Sequence, residues 1–428
     1  MKQAIQVSFA VPPRLRVRPS VGSSWTRGPR EGGHVRRRHW RPIAGTVTGA
    51  MIVSVPLSLV QAQAPQELRL TRDLRIDAAE HDLTSITPPG GLTVAPDGTI
   101  IVSQNQDGTI RFFDANGRSL GTFGRQGQGP GEFQTIVRFT WIGNTLVASD
   151  ERTRRLTLVS PDRKLVQTVP WLSAASVPAR SGADPSRLRV APPRVRFADG
   201  SQLLSVGLPV ARETPDWPGG EKAGTPFVVV DSTGTFLRLI AWVPRVQCEV
   251  PFDAGGGMSS GSLGVPFCAQ TLEAVSPDGG FFAVAAAEHG SNPSFRLTLL
   301  RTSGDTVFSR SYLYRPVAIA RAARDSAIAS RARGDASRRE AAAKMPVPDT
   351  YPPFDRLLVG RDGTVWLAGF GQGGQRFWNV VNAMGNLVGR AIVPGNIQVM
   401  VVSRDVAWAI ETGEDGLQSV VRFRVSRP

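Results

Sequence analysis

Short apolar runs separated by turn residues recur along most of this chain. Residues 90–124, "GGLTVAPDGTIIVSQNQDGTIRFFDANGRSLGTFG", contain four alternating segments separated by Pro-Asp-Gly, Gln-Asp-Gly and Asn-Gly. Asp-Gly and Asn-Gly between alternating apolar runs indicate tight hairpin turns. The stretch therefore predicts a four-stranded antiparallel meander of about 35 residues, which is the size of one propeller blade.

Comparable meanders follow this first one, so the pattern predicts six. The others span residues 139–169, 195–243, 272–312, 354–393 and 397–425. The first turn of each meander contains an Asp or Asn, in chain order Asp97, Asn144, Asp199, Asp278, Asp362 and Asp405. A ring that does not close exposes unpaired backbone at its ends. Residues 66–76 alternate like a strand and are expected to complete the sixth meander. We therefore predict an all-β fold, a six-bladed β-propeller of four-stranded antiparallel blades over residues 66–428.

One segment, residues 316–344, does not alternate. It is rich in Ala and Arg and has few β-branched residues, which predicts one or two helices interrupted at Gly334 between blades four and five. A solvated helical insertion is the favoured interpretation, and a functional lid is the alternative.

The net charge of +15 is concentrated in two segments. Residues 1–64 contain ten Lys and Arg against one acidic residue, and residues 315–345 contain eight against three, so the remainder is nearly neutral. A nucleic-acid partner requires basic residues spread over a folded surface. We therefore expect no nucleic-acid partner.

The N-terminal segment has the pattern of an export signal. A basic stretch at 36–41 precedes the uncharged run 43–60, and small residues follow at Ala62 and Ala64. This predicts a leader over residues 1–62 with cleavage after Ala62 in preference to Ala64, and a periplasmic or extracellular protein. An uncleaved anchor, which would be the protein's contact with the membrane, is the alternative.

The two cysteines, Cys248 and Cys268, lie on either side of a stretch rich in Gly and Ser that is expected to be a loop. In an oxidising compartment this pair predicts a structural disulfide, and two free buried thiols are the alternative.

The segment "FGRQGQGPGEF" (123–133) and the residues after it resemble the NHL-repeat pattern. In that pattern a Gly-rich linker ending in Gly-x-Phe leads into a blade, and here the corresponding positions are Gly131-Glu132-Phe133, Asp150, Arg155 and Leu156. More widely, the chain resembles six-bladed β-propeller proteins exported by many bacteria. The resemblance implies a fold and no activity, because propellers include binding modules and several kinds of enzyme.

Two glycine-containing stretches suggest known motifs: 123–133 suggests a nucleotide-binding loop, and 257–261 suggests a hydrolase motif. A P-loop requires a lysine, and none lies in or beside 123–133. A dinucleotide-binding loop requires a third glycine and a helix after it, but Glu132 occupies that glycine position and a strand-like segment follows. The stretch "GMSSG" (257–261) fits Gly-x-Ser-x-Gly by chance in a Gly/Ser loop, without the strand-to-helix turn of a hydrolase. We interpret 123–133 as a junction between blades, anchored by Phe123 and Phe133.

Metal chemistry is limited by the supply of ligands. After the leader only His81 and His289 remain, which excludes a multi-histidine zinc site. Resemblance to propeller lactonases implies an axial metal such as calcium, and its candidate ligands here are Asp150, Glu151, Glu288 and His289. The favoured interpretation is that Asp150 caps a turn and that Glu288 and His289 lie on a solvated loop, with no cofactor.

Loops between strands gather on one face of a propeller and can bind a ligand there. The candidate ligand-binding residues are Gln104, Asn105, Arg125, Gln126, Arg152, Trp217 and Trp378, whereas Trp141 and Trp366 are expected in the core. We predict an exported monomeric binding or scaffold module for a protein, peptide or glycan, with no catalytic residues. The alternative is a metal-dependent hydrolase or lyase of the gluconolactonase type, and a third hypothesis is a structural partner in an envelope complex.

Overall fold

The structure, a computed structural model, describes residues 66–77, 83, 86, 91–172, 189–207, 224–253, 260–371 and 375–427. The predicted leader lies outside these ranges. Within them, no helix has the length and apolar character to cross a membrane. The described residues form an all-β, propeller-like arrangement with two helices.

The first strand, β1 (Glu67–Ile76), belongs to the last sheet and is described with it below. Two four-stranded antiparallel sheets follow it in the chain. The first contains β2 (Leu92–Val94), β3 (Ile100–Gln104), β4 (Thr109–Phe113) and β5 (Ser119–Phe123). The second contains β6 (Ile136–Ile142), β7 (Thr145–Asp150), β8 (Arg155–Val159) and β9 (Leu165–Pro170). Both match the predicted meanders because Gly98 and Gly143 have positive φ, which suits a tight turn.

The middle of the chain forms three further sheets. A five-stranded sheet contains β10 (Arg189–Val190), β11 (Val195–Arg196), β12 (Gln202–Gly207), β13 (Thr225–Val230) and β14 (Phe236–Val243). A two-stranded sheet contains β15 (Glu249–Asp253) and β16 (Ser260–Gly264). A four-stranded sheet contains β17 (Leu272–Val275), β18 (Phe281–Glu288), β19 (Ser294–Arg301) and β20 (Thr306–Leu313).

The C-terminal strands form one eight-stranded sheet with β1. These strands are β21 (Arg356–Val359), β22 (Val365–Phe370), β23 (Arg376–Val381), β24 (Leu387–Ile392), β25 (Ile397–Val402), β26 (Val406–Thr412) and β27 (Gln418–Ser426). Their order is β21-β22-β23-β24-β1-β27-β26-β25. The end strands β21 and β25 contact each other, so the sheet nearly closes on itself.

The prediction of six separate four-stranded blades is wrong. The described residues contain four separate blade-like sheets, one of them five-stranded, together with the nearly closed eight-stranded sheet. The physical reason is that β1 pairs on both sides: antiparallel with β27, and in parallel with β24 through Glu67 opposite Arg390 and Leu68 opposite Ala391. The expected pairing of residues 66–76 with the C-terminal strands is confirmed.

The first strands of the sheets lie around a common centre. Strand β2 contacts β6 and β25, β6 also contacts β11, and β21 contacts β17 and β25. The turn before β18 approaches β11 closely: a Cβ at Gly279 would lie 2.5 Å from Cγ1 of Val195, and the φ of Gly279 is +72°. Only glycine tolerates both conditions.

Apolar side chains fill the space between neighbouring sheets. The rings of Trp366 and Trp378, both buried, have centroids 6.1 Å apart and pack with Leu68 and Phe423. Each fully buried large side chain contributes about 1.5–3 kcal/mol to folding. The core positions predicted for Trp141 and Trp366 are confirmed.

The two helices, α1 (Arg321–Arg331) and α2 (Ala336–Ala343), lie where helices are predicted. The chain breaks between them at Gly334, with φ +132°, and Asp335 caps α2 by accepting a 2.8 Å hydrogen bond from the Arg338 amide. Buried Ala341 and Ala342 pack with Leu263 of β16 in one apolar cluster. The segment is therefore one insertion with two helices.

The stretch between the cysteines contains a hairpin, β15–β16, where a loop is expected from its Gly and Ser content. Cys248 and Cys268 form a disulfide, so that prediction is confirmed. Their Cα atoms are 5.6 Å apart, and the bond closes the base of the hairpin that supports α2.

Candidate functional site

The connections between strands fall at two ends of the sheets. The turns from first to second strand, at 95–99, 143–144, 197–201, 276–280, 360–364 and 403–405, lie at one end, which we call the turn end. The links from second to third strand and from one sheet to the next lie at the other, the junction end. The α1–α2 insertion and the β15–β16 hairpin are both sheet-to-sheet links and belong to the junction end.

The centre of the turn end is closed by packed side chains. The Trp141 amide donates to the Pro277 carbonyl at 2.9 Å, and its indole Nε1 donates to Thr93 Oγ1 at 3.1 Å. Arg361 Nη2 donates to the Val94 carbonyl at 2.8 Å, and its guanidinium carbon lies 5.4 Å from the centroid of the Trp141 ring. Residues from four different sheets thus meet at this point, and burial lowers the pKa of Arg361.

The centre of the junction end has a different composition. Each of several first strands begins there with a polar side chain, and these residues form the group that we call the central mouth: Arg138 on β6, Arg194 just before β11, Glu273 on β17, Arg356 on β21 and Gln398 on β25. Cationic groups outnumber anionic ones in this set. The central mouth is our candidate functional site.

Arg194 and Glu273 form an ion pair across two neighbouring sheets. Arg194 Nη2 lies 2.5 Å from Glu273 Oε1, and the two side chains are 23% and 24% exposed. The Arg194 guanidinium carbon also lies 5.7 Å from the centroid of the Phe227 ring. The pair is partly accessible and holds the Arg194 side chain in place.

Arg138 is positioned by a β-bulge. The register of β6 against β7 shifts between Ile136 and Arg138, which places Arg138 opposite Ser149. Burial, with a further contribution from the neighbouring Arg194 charge, lowers the pKa of Arg138 to about 10, and Glu273 acts in the opposite direction. The guanidinium is therefore still cationic at neutral pH.

Four buried polar atoms at this side of the mouth lack a hydrogen-bond partner within the part of the chain that the structure describes. They are Arg138 Nε, Arg194 Nε, Ser149 Oγ and Thr271 Oγ1. Ser149 is the cross-strand neighbour of Arg138, and Thr271 precedes Glu273 by two residues. Buried polar atoms are normally paired, and an unpaired one costs about 1–3 kcal/mol. These four atoms therefore have unused hydrogen-bonding capacity beside the mouth.

Arg356, across the mouth, has protein partners. Both of its Nη atoms lie 2.9 Å from the side-chain oxygen of Gln398 when that amide is oriented toward it. Burial lowers the pKa of Arg356, the nearby Arg376 lowers it further, and Asp355 acts in the opposite direction. Arg376 itself pairs with Asp355 at 2.6 Å.

The residues predicted from sequence lie away from the central mouth. Gln104 is buried at the end of β3, and its Nε2 donates to the Ser103 carbonyl at 3.1 Å. Asn105 links two sheets, because Oδ1 accepts from the Ile136 amide at 2.9 Å and Nδ2 donates to the Ile136 carbonyl at 3.2 Å. Both side chains therefore already form hydrogen bonds within the protein.

The predicted metal ligands are similarly engaged. Asp150 is buried and accepts backbone hydrogen bonds from Gln134, Thr135 and Thr153 at 2.6, 3.1 and 3.0 Å. Glu151 is exposed beside it. In the described ranges no three His, Cys, Asp or Glu side chains come together as a metal site would require.

Glu288 lies at the end of β18, next to the exposed His289. It accepts hydrogen bonds from Ser311 at 3.0 Å and Ser294 at 3.1 Å, and Arg296 is 2.7 Å away. Partial burial raises the pKa of Glu288, but the two hydroxyls and Arg296 outweigh it and lower the pKa overall. The carboxylate is therefore already fully coordinated by protein groups.

The remaining predicted residues are dispersed. Arg125, Gln126 and Arg152 are exposed at the junction end. Trp378 is 4% exposed and packs in the core, and Trp217 lies outside the described residues.

The segment 123–133 is a junction, as predicted. It links β5 to β6, and Phe133 is fully buried, with its ring centroid 6.1 Å from that of Phe123. Arg125 pairs with Glu132 at 2.7 Å, and Glu132 also accepts from the Gly129 amide at 2.7 Å. These bonds, from Gly129 first and then Arg125, lower the pKa of Glu132. An open groove of about 280 Å³ lies beside this pair.

Sequence reasoning missed the central mouth. The available signal was a charged or amide residue inside short apolar first strands, as in "IVRFTWI" around Arg138, "TLEAV" around Glu273 and "IQVMVV" around Gln398. Such residues interrupt the run of apolar residues at one end of the strand. Only the ring arrangement shows that these ends converge.

No known protein family matches the chain, and no curated protein matches it. Solved structures are similar in fold. A protein of Bacteroides fragilis described as exported is 12% identical, with a TM-score of 0.44, over 84% of this chain and 95% of that one. A member of the DUF4221 family from Bacteroides vulgatus is 11% identical, with a TM-score of 0.45, over 85% of this chain and 100% of that one.

A third similar structure is regucalcin from Agrobacterium tumefaciens, described as a calcium-binding protein. It is 12% identical, with a TM-score of 0.36, over 85% of this chain and 97% of that one. These identities and TM-scores are too low to transfer a function to this chain.

Proposed function

We propose that the protein is an exported binding module that receives a polar ligand at the central mouth. The observation that carries the proposal is the Arg138 guanidinium, which is cationic and has a buried Nε without a partner among the described residues. The turn end of the same centre is closed by Trp141 and Arg361. A ligand therefore reaches the centre from the junction end.

The chemistry of the mouth favours binding over metal-dependent hydrolysis. Three guanidinium groups repel a divalent cation, and calcium prefers carboxylate and carbonyl oxygens. The carboxylates of Asp150 and Glu288 already accept hydrogen bonds from protein groups. The lactonase-type alternative predicts a stoichiometric divalent ion in the purified protein that is lost in Asp150→Asn and Glu288→Gln.

Export is supported by the disulfide and by the leader pattern. A protein, a peptide and a glycan are the ligand classes under this proposal. The NHL-like relationship, the monomeric state and the absence of a nucleic-acid partner stay predictions.

The proposal is tested by screening residues 66–428 against glycan and peptide arrays. We expect a ligand whose binding falls at least about tenfold in Arg138→Gln/Arg356→Gln, since a charge-assisted hydrogen bond contributes about 1.5–3 kcal/mol. The matched control is Arg125→Gln/Arg152→Gln, which removes two exposed arginines from the same end. Binding lost in the control variant and retained in the mouth variant would place the ligand elsewhere and contradict the proposal.

A further inference from the structure

We propose that the Arg138 side of the central mouth is a subsite for one carboxylate group of the ligand. This inference rests on the proposed function and adds the chemical class of the group that is recognised. We call this side, formed by Arg138, Arg194, Glu273, Ser149 and Thr271, the carboxylate subsite.

The unpaired groups of the subsite are all able to donate hydrogen bonds. Arg138 Nε and Arg194 Nε are donors only, and the Ser149 and Thr271 hydroxyls are able to donate. An ionised carboxylate is an acceptor only, with about four lone-pair sites on two oxygens. Four unpaired donors and one carboxylate are therefore complementary in number and in polarity.

The net charge of the subsite suits a single negative charge. Two guanidinium groups and the Glu273 carboxylate give the subsite a single net positive charge. A monoanion neutralises that charge, whereas a doubly charged phosphate leaves an excess negative charge in a partly buried position. A cation meets a net repulsion, so the subsite selects a monoanion.

The surrounding protein holds the two arginine donors in place. Glu273 fixes Arg194 at 2.5 Å, and Phe227 lies against its guanidinium. The β-bulge at the start of β6 sets the position of Arg138, and its cross-strand neighbour Ser149 is buried. Donors that are already positioned lose little conformational entropy when the anion binds.

The difference between Arg138 and Arg356 locates the subsite within the mouth. The Nη atoms of Arg356 already share the Gln398 oxygen, and its neighbour Arg376 is paired with Asp355. Arg138 Nε has no such partner among the described residues. The carboxylate therefore binds on the β6–β11–β17 side.

The experiment titrates residues 66–428 with sodium glucuronate, with glucose as the uncharged match, and with acetate, phosphate and chloride at equal ionic strength. Binding is measured by calorimetry and by the NMR shift of the Arg138 Nε–H group, with the Arg361 Nε–H group as an internal reference. We expect glucuronate and acetate to bind and to shift the Arg138 signal, and glucose and chloride to do neither.

Three variants decide the assignment. Arg138→Gln should weaken glucuronate binding at least about tenfold, and Arg138→Lys should only partly retain it, because lysine keeps the charge and loses the planar donor pair. Arg125→Gln, at a side chain that is 79% exposed, should leave binding unchanged. Thermal unfolding of each variant verifies that it folds.

The inference is overturned if phosphate binds more tightly than glucuronate, or if Arg138→Gln binds glucuronate as the parent protein does. It is also overturned if glucuronate has no more effect than chloride, since water would then satisfy the donors. If a ligand found on the arrays still loses affinity in Arg138→Gln/Arg356→Gln in that case, the proposed function is retained. Loss of mouth dependence for every ligand removes both proposals.

Discussion

The two ends of the central axis use arginine in opposite ways. At the turn end the partly buried Arg361 donates from Nη2 to the Val94 carbonyl and lies over Trp141, so it joins three sheets, although its Nε, like that of Arg138, has no partner among the described residues. At the junction end Arg138 is held by a β-bulge with its buried Nε unpartnered in the described part of the chain. The difference is that an Arg361 Nη atom bonds to a neighbouring sheet, whereas Arg138 lies beside a second guanidinium and further unpaired donors, and unpaired buried donors cost stability.

The largest expected effect is at the turn end. Replacing Trp141 with Ala should lower the free energy of unfolding by about 3–5 kcal/mol, because it removes a buried aromatic ring and two anchors for neighbouring residues. Urea denaturation of residues 66–428 measures the change. A loss below about 1 kcal/mol would contradict the view that this end is a packed closure.

A matched pair of arginine variants gives the next largest effect. Arg361→Gln should lower the free energy of unfolding by about 1–3 kcal/mol, since it leaves the partly buried Val94 carbonyl without its charged donor. Arg138→Gln should change it by no more than about 0.5 kcal/mol, because no protein hydrogen bond from Nε is lost. Equal losses in the two variants, measured by the same urea denaturation, would remove the contrast between the ends.

The smallest effect concerns Glu288, a fully partnered acid on the same end of the sheets as the mouth. Its pKa is lowered from the usual 4.5 in the folded protein, so its stabilisation is present above that value and disappears as the pH falls through the lower folded value. Glu288→Gln should reduce the free energy of unfolding at pH 7 by less than about 1 kcal/mol. The difference from the parent protein should shrink below pH 4.5.

This prediction is checked by thermal unfolding at a series of pH values, with Glu151→Gln, at an exposed acid that directly follows β7, as the control. A gap between Glu288→Gln and the parent that widens toward low pH would show that the sign of the pKa shift is wrong.

Local structure was predictable where a turn requires particular residues. Gly98 has φ +90°, and the Asp97 carboxylate accepts from the Thr99 amide at 2.9 Å, as the Pro-Asp-Gly pattern indicates. The break at Gly334 and the disulfide between Cys248 and Cys268 were predictable for similar reasons. The turn and the helix break depend on a few neighbouring residues, and the disulfide joins two cysteines that have no other cysteine to pair with.

Long-range pairing was not predictable in the same way. The sequence indicated that residues 66–76 form a strand, and it did not indicate that Glu67 and Leu68 also pair with β24 and merge the last strands into one sheet. Trp378, predicted as a ligand-binding residue, lies inside β23 and packs against Trp366. Pairing across hundreds of residues has no local signature.

Local conformational preference and alternation specified most of the strands and turns, the helical insertion and the junction at 123–133 with Phe123 and Phe133 at its ends. They did not specify the β15–β16 hairpin, and the position of the central mouth depends on the tertiary structure. Arg138, Arg194, Glu273 and Arg356 lie far apart in the chain, and each is an ordinary charged residue near the start of a short strand. They become a site because the first strands of the sheets converge, which brings like charges together and buries donors that the chain does not satisfy.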